Sequence, residues 1–150
     1  MSITIRPATP ADIDHLVKWN AAMAWETEHK HLDEAVLRRG TEAVFADPRR
    51  GTYLVAELDG VPAGSLLITY EWSDWRNGDF WWVQSVYVAE EARRRGVFRA
   101  LYQAVKERAK EAGAVGTRLY VETENTRAQS TYASLGMARC DYAMLEQIFS

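Results

Sequence analysis

QSVYVAEEARRRGVFRA, residues 84–100, passes from a strand pattern at 84–88 through a short acidic turn into a basic loop, Arg93, Arg94, Arg95 and Gly96, and on into an amphipathic helix starting near Val97. A helix start leaves backbone N–H groups without intrahelical acceptors and carries the positive end of the helix dipole. Set behind a strand and a glycine, those groups make an anion site, with phosphate the natural occupant. The plainer alternative is that the three arginines are solvated surface charges and Gly96 only ends a turn. A short motif by itself leaves both readings open.

Working outward, Phe80, Trp81, Trp82 and Val83 are apolar on both faces, as in a central strand covered on both sides. The spacing predicts this fourth strand over 80–88, after a polar connection at 73–79. Before it, TYLVAEL (52–58) and VPAGSLLITY (61–70) flank Asp59-Gly60, which predicts a hairpin. Ile3 and Ile5 alternate with polar residues as a first strand closed by Pro7. Thr9, Pro10 and Asp12 form a helix start for the apolar positions Ile13, Leu16 and Val17, and the pattern becomes ragged over 23–31. Asp33 caps a second predicted helix running to Ala46.

Beyond the loop, Phe98, Leu101, Tyr102, Val105 and Ala109 recur at helical steps until Gly113. A fifth strand is predicted at 119–122 and a short helix at 125–135, with Ala128, Tyr132 and Leu135 on one face. Tyr142, Met144 and Ile148 in the tail predict two more short strands. The order of elements is that of an α/β domain with a mixed sheet.

With 150 residues, 47% of them hydrophobic, the chain is expected to be one domain over 1–150 with no linker. The net charge of -3 argues against a nucleic-acid partner, so the arginine loop reads as a local site. Cys140 is the one cysteine; it fits a reducing compartment and reads as a small apolar filler rather than a nucleophile. The first residues lack a basic start followed by an apolar run, and no apolar stretch approaches the roughly 18 residues of a membrane span. The expectation is a cytoplasmic protein with no membrane partner. His29 and His31 flank Lys30 without a ligand set around them, so no metal is expected.

Two motifs carry a family resemblance. Arg93-x-x-Gly96-x-Phe98, followed by Arg99-Ala100-Leu101, resembles the pyrophosphate loop of the GCN5-related N-acetyltransferases (GNAT): Gln or Arg, two residues, Gly, one residue, then Gly or Ala. Asn125-x-x-Ala128-x-x-x-Tyr132-x-x-x-Gly136-Met137 resembles the same family's second motif. The resemblance implies a mixed, mostly antiparallel sheet of six to seven strands, with the fourth and fifth splayed apart and helices on both faces. It implies acetyl-CoA as the cofactor, leaving coenzyme A as product. The pyrophosphate would lie on the backbone of Arg94, Arg95, Gly96, Val97, Phe98 and Arg99, with Arg93 at the loop's start, and the pantetheine arm along Val86, Tyr87 and Val88. The N–H of Val86 would bond the acetyl carbonyl, Tyr132 would meet the departing thiolate, and Asn125 would sit beside the coenzyme while also capping its helix. The implied reaction is acetyl transfer to an amine of a small molecule or peptide by direct attack in a ternary complex. Many family members are dimers, so a homodimer is compatible with this reading.

Two departures stand out. Phe98 occupies a position where the family has Gly or Ala; either the loop widens or the ring joins the helix stripe, and its spacing to Leu101, Tyr102 and Val105 favours the second. Trp82 falls at a fourth-strand position where some histone-acetylating members carry a glutamate. An amine with a pKa near about 10.4 must still lose a proton. Candidate bases are Glu26, Glu28, Glu71 and, through a water, Gln84. Trp72, with Trp75, either lines an acceptor pocket or covers the sheet end. Glu26, Glu28, Glu71 and Asp74 together favour a cationic amine. The missing glutamate and Phe98 also leave an alternative: a non-catalytic acyl-CoA-binding sensor or interaction module.

Overall fold

Five strands, β1 (Ile3–Pro7), β2 (Thr52–Leu58), β3 (Val61–Ser73), β4 (Gly78–Val88) and β5 (Gly116–Arg118), form one sheet in chain order. The first four pair antiparallel, and β5 joins β4 in parallel. Asp59 (φ 52) and Gly60 (φ 82) are both left-handed, as the tight turn between β2 and β3 requires. A parallel step needs a crossover, which α3 (Val97–Glu111) provides. Helices α1 (Ile13–Glu28) and α2 (Glu34–Ala46) lie between β1 and β2 in sequence, and α4 (Thr126–Ser134) follows β5. This computed structural model describes residues 1–150 and divides into two compact units, Met1–Leu119 and Tyr120–Ser150. The sheet and α1 to α3 belong to the first unit, and α4 to the second. No helix is long and apolar enough to cross a membrane.

Strand alternation sorts the core of the first unit into two layers. Tyr53 and Val55 face α1, where they pack with Leu16 and Trp19, flanked by Val44 and Phe45 of α2. Ala56 points the other way and pairs with Gly64, where an added Cβ would meet the Val97 Cγ1 atom of α3 at 3.3 Å. α3 therefore covers the second face and buries Val97, Leu101, Tyr102, Val105 and Ala109. Its close approach to Gly64 seats Val97 first in the buried stripe. Phe98, expected to lead it, is half-buried.

Three boundaries differ from the pattern reading. The predicted polar connection at 73–79 shrinks to a four-residue turn at 74–77: β3 runs on to Ser73 and β4 begins at Gly78. The fifth strand lies upstream of 119–122. Gly116 makes that possible, since a Cβ there would meet Phe80 Cε1 at 3.0 Å, so glycine lets the backbone close on the Phe80 ring. The tail beyond Met137 forms no strand, which leaves five strands in place of six to seven. Tyr142, Met144 and Ile148 are exposed, because alternation assigns residues to faces without providing a neighbouring strand. Cys140 is likewise exposed rather than a core filler.

The entry into α1 is tied down by a buried carboxylate. Asp12 accepts both terminal nitrogens of Arg6, at 2.8 and 2.9 Å, and the Thr9 N–H at 2.7 Å. His15 Nε2 lies 2.9 Å from Asp12 Oδ1 as an ionic contact, without hydrogen-bond alignment. Arg6, and then the Thr9 N–H, hold the Asp12 carboxyl down at about 2. Because the folded value lies below the unfolded one, the contribution is fully present above about pH 4 and is lost as pH falls through about 2. It amounts to about 2 kcal/mol. Urea unfolding of Asp12→Asn should show lower stability at pH 7 and a shallower acid slope than the wild type. Parallel acid slopes in the two proteins would remove Asp12 from this role.

Candidate active site

The parallel pairing of β4 with β5 covers three residues, Phe80↔Gly116, Trp81↔Thr117 and Trp82↔Arg118. β4 then continues through residues 83–88 with no β5 residue opposite, which leaves on the order of 20 Å of strand edge open. Within that run the register to β3 slips: Leu67 pairs with Gln84 but Ser65 pairs with Tyr87. Leu66 therefore opposes two residues, Ser85 and Val86, and Ser85 takes a left-handed φ of 51. A bulge of this kind bends the strand and re-aims the residues beside it, and here it lies at Val86.

After β4 a single 3-10 turn, Glu90–Ala92, leads to Arg93, and left-handed Arg94 (φ 65) and Gly96 (φ 83) bring the chain into α3. The first N–H taken up inside the helix is that of Ala100, which donates to the Gly96 carbonyl at 3.0 Å. No acidic residue lies in the first turn of α3. Arg94, Arg95 and Arg99 are exposed and form no ion pair, so the positive helix end is uncompensated. The donor set fits a diphosphate, and nothing lies within 4 Å of a Cβ built on Gly96 to crowd one.

Two carboxylates on the α1 side of the sheet are held by arginines. At the point where β4 and β5 part, Glu71 accepts the Trp82 indole N–H at 3.0 Å and Arg118 Nη1 at 2.8 Å. Arg118 also lies over the Phe80 ring, its Cζ 3.7 Å from the centroid. Nearer the arginine loop, Glu26 accepts the Tyr87 hydroxyl at 2.6 Å and Arg93 Nη2 at 2.8 Å. The Trp82 indole, then Arg118, hold the Glu71 carboxyl below the usual range; the Tyr87 hydroxyl, then Arg93, do the same for Glu26. Burial, reinforced by Glu26, pushes the Tyr87 phenol up to about 12.

Residues 13–137 match the profile of the acetyltransferase (GNAT) family. This chain belongs to that family. It is 33% identical over 122 residues to a mycothiol acetyltransferase of Corynebacterium aurimucosum, an alignment covering 79% of this chain and 40% of the relative. A mycothiol acetyltransferase of Pseudarthrobacter chlorophenolicus is 32% identical over 146 residues, 93% of this chain and 43% of the relative. The chain thus spans about two-fifths of the length of these relatives. The crystal structure of a possible acetyltransferase from Clostridium difficile 630 superposes with a TM-score of 0.92 at 45% identity, over 100% of this chain and 99% of that one.

In this member of the GNAT family the sequence-predicted residues fall into distinct places. Val86, Tyr87, Val88 and the loop from Arg93 to Arg99 are continuous along the open edge of β4 and the start of α3. Glu26 joins them through its side chain, Gln84 donates to Thr69 on β3, and Glu28 is a solvated partner of Lys30 at 3.3 Å. Trp72 is separated from them. It helps line an open cavity of about 700 Å³ with Tyr70, Asp79, Trp81 and Gly113, at the end of β4 remote from Val86. Asn125 caps α4, its side chain accepting the Ala128 N–H at 3.1 Å, and Tyr132 lies half-buried on that helix.

Sequence reasoning missed Arg118 as the partner of Glu71 and the Tyr87 hydroxyl as a partner of Glu26. No local signal marks either, since the bonds span 47 and 61 residues. The Arg93 guanidinium, at the start of the arginine loop, bonds Glu26 and the Val88 carbonyl.

Glycine substitutions test the backbone of this region. At Gly64 a Cβ would stand 2.8 Å from the Tyr87 carbonyl and 3.4 Å from Val88 Cα, against backbone that cannot yield cheaply. Gly64→Ala should cost about 3 kcal/mol. Gly96→Ala meets no atom, so it should lose only the left-handed preference, about 1 kcal/mol. Chemical denaturation of both variants checks the order, and equal losses would contradict it.

Proposed function

We propose that this acetyltransferase moves an acetyl group from acetyl-CoA to a primary amine by direct attack in a ternary complex. The observation that carries the reading is the open edge of β4 at 83–88, followed through the Glu90–Ala92 turn and the arginine loop by an uncompensated helix start. Acetyl-CoA, when bound, supplies the activated thioester. The chain's part is to receive the diphosphate on the N–H groups at the start of α3 and the pantetheine arm on β4 by strand-like pairing. Val86 donates its N–H to the acetyl oxygen, an interaction that strengthens as negative charge develops there. Tyr132 donates a hydrogen bond to the departing sulfur, and Asn125 borders the coenzyme.

The carboxylates take a different part from the one their position invites. A primary ammonium has a pKa of about 10.4, far above the carboxylate range, and Glu26 and Glu71 are both held below even that range by their donors, so neither is suited to take its proton. Glu26 and Glu71 are matched to holding an ammonium by charge. Trp82 at the fourth-strand position is consistent with this, since its indole orients Glu71 instead of taking a proton. The reactive species is then the small neutral fraction of the amine, and the Tyr87 phenol, at about 12, stays protonated throughout.

Free-thiol release from acetyl-CoA, followed across a panel of amines and amino-terminal peptides, tests the activity. Tyr132→Phe should lower kcat by at least about a hundredfold while coenzyme A binds as before. Unchanged turnover would remove Tyr132 from the reaction. Stabilisation by coenzyme A with no thiol release across the panel would favour a non-catalytic coenzyme-binding module. The pH profile is a separate prediction. Without a matched base, kcat/KM should rise about tenfold per pH unit from pH 6 towards the pKa of the amine. A plateau near pH 7 would point to a base within the protein.

A further inference from the structure

Arg93 is held against α1. Its Nη2 donates to Glu26 Oε1 at 2.8 Å, its Nε donates to the Val88 carbonyl at 3.0 Å, and its Cζ lies 5.4 Å from the centre of the Tyr87 ring. Glu26 stands near the C-terminal end of α1, while Arg93 opens the loop that leads to the anion-binding start of α3. One guanidinium therefore stands between two sites of opposite demand, a diphosphate on one side and an ammonium on the other. While Arg93 is on Glu26, the pair is electrically neutral and offers an incoming cation little attraction.

We propose that Glu26 and the coenzyme diphosphate compete for Arg93, so that coenzyme binding releases the Glu26 carboxylate and thereby creates the ammonium subsite for the acceptor. The inference rests on the reading that the coenzyme binds at the arginine loop. Arg93 and Glu26 are each 40% exposed by side chain, so the pair is a weak one that a multiply charged diphosphate can draw apart. Glu26 does not swing free when Arg93 leaves. The Tyr87 hydroxyl still donates to its other oxygen at 2.6 Å, and Tyr87 is braced by the Trp19 ring at 6.4 Å between centroids. The released carboxylate is then an oriented anion one tyrosine side chain away from the strand residue next to Val86. Linkage makes the effect reciprocal: coenzyme raises the affinity for amine, and amine raises the affinity for coenzyme by the same factor. The order of addition that follows is coenzyme first and amine second.

Calorimetric titration with coenzyme A of the wild type, Glu26→Gln, Arg93→Gln and the double variant tests this. Glutamine keeps an oxygen for the Tyr87 hydroxyl but loses the charge that holds Arg93. Glu26→Gln should bind coenzyme A roughly threefold tighter than the wild type. The same change made in Arg93→Gln should leave the affinity unaltered, which separates partner exchange from the general removal of a negative charge. Unchanged or weaker binding by Glu26→Gln overturns the proposal, as does equal tightening in both backgrounds. Failure of the wild type to bind coenzyme A at all would instead overturn the coenzyme-site reading. In a crystal of the coenzyme A complex, Arg93 should contact a phosphate oxygen and lie beyond hydrogen-bonding reach of Glu26; Arg93 still seated on Glu26 overturns the proposal. With an amine found active in the panel, Glu26→Gln should raise KM about tenfold and leave kcat in place, and a fall in kcat at constant KM would overturn the ammonium-subsite role.

Discussion

Parallel pairing that stops after three residues is the constraint on which the rest of the structure depends. Beyond Trp82↔Arg118, β4 has six residues left to run and no strand paired on that side. Inside a sheet this would be a defect, because unpaired N–H and C=O groups are expensive once removed from water. At a cleft it is a template for an extended ligand. The bulge at Ser85 belongs to the same device, since it re-aims the strand where the edge is open. α3 sets the other boundary, because its first turn is pressed against Gly64 and its start is fixed beside the end of β4.

Electrostatics on the α1 side is organised by pairs rather than by isolated charges. Glu71 is bound to Arg118 and the Trp82 indole, and Glu26 to Arg93 and the Tyr87 hydroxyl. Each arrangement lowers the proton affinity of the carboxylate, which makes it a poorer base and a more persistent anion. The two sites differ in what lies beyond the arginine. Arg118 lies over the Phe80 ring and is committed to the sheet, whereas Arg93 borders a loop whose other arginines have no ion-pair partners.

Most of the elements were legible in the sequence because local rules govern them. Asp33 caps α2 where its spacing indicates, Asp59-Gly60 turns the hairpin, and the periodicity from Leu101 to Ala109 identifies the buried face of α3. The arginine loop and the Asn125 cap were also readable, since a loop's glycine and a helix start act within a few residues. The reading failed where a segment's state depends on a distant neighbour. Gly116–Arg118 is a strand because Phe80 accepts a glycine against its ring, and 119–122, more strand-like in composition, is not one.

The sequence by itself determined the fold class and the family resemblance. These rest on periodicities and motifs spanning a few residues. The tertiary structure alone decided which charges meet. Glu26 and Arg93 are 67 residues apart in the chain, and Glu71 and Arg118 are 47 apart. Nothing in local spacing fixes such pairs, because their separation is set by how α1 and β3 pack beside β4 and β5. For residues 84–100 the consequence is specific: of the three arginines that opened the reading, Arg93 is already bound to Glu26, while Arg94 and Arg95 face the solvent.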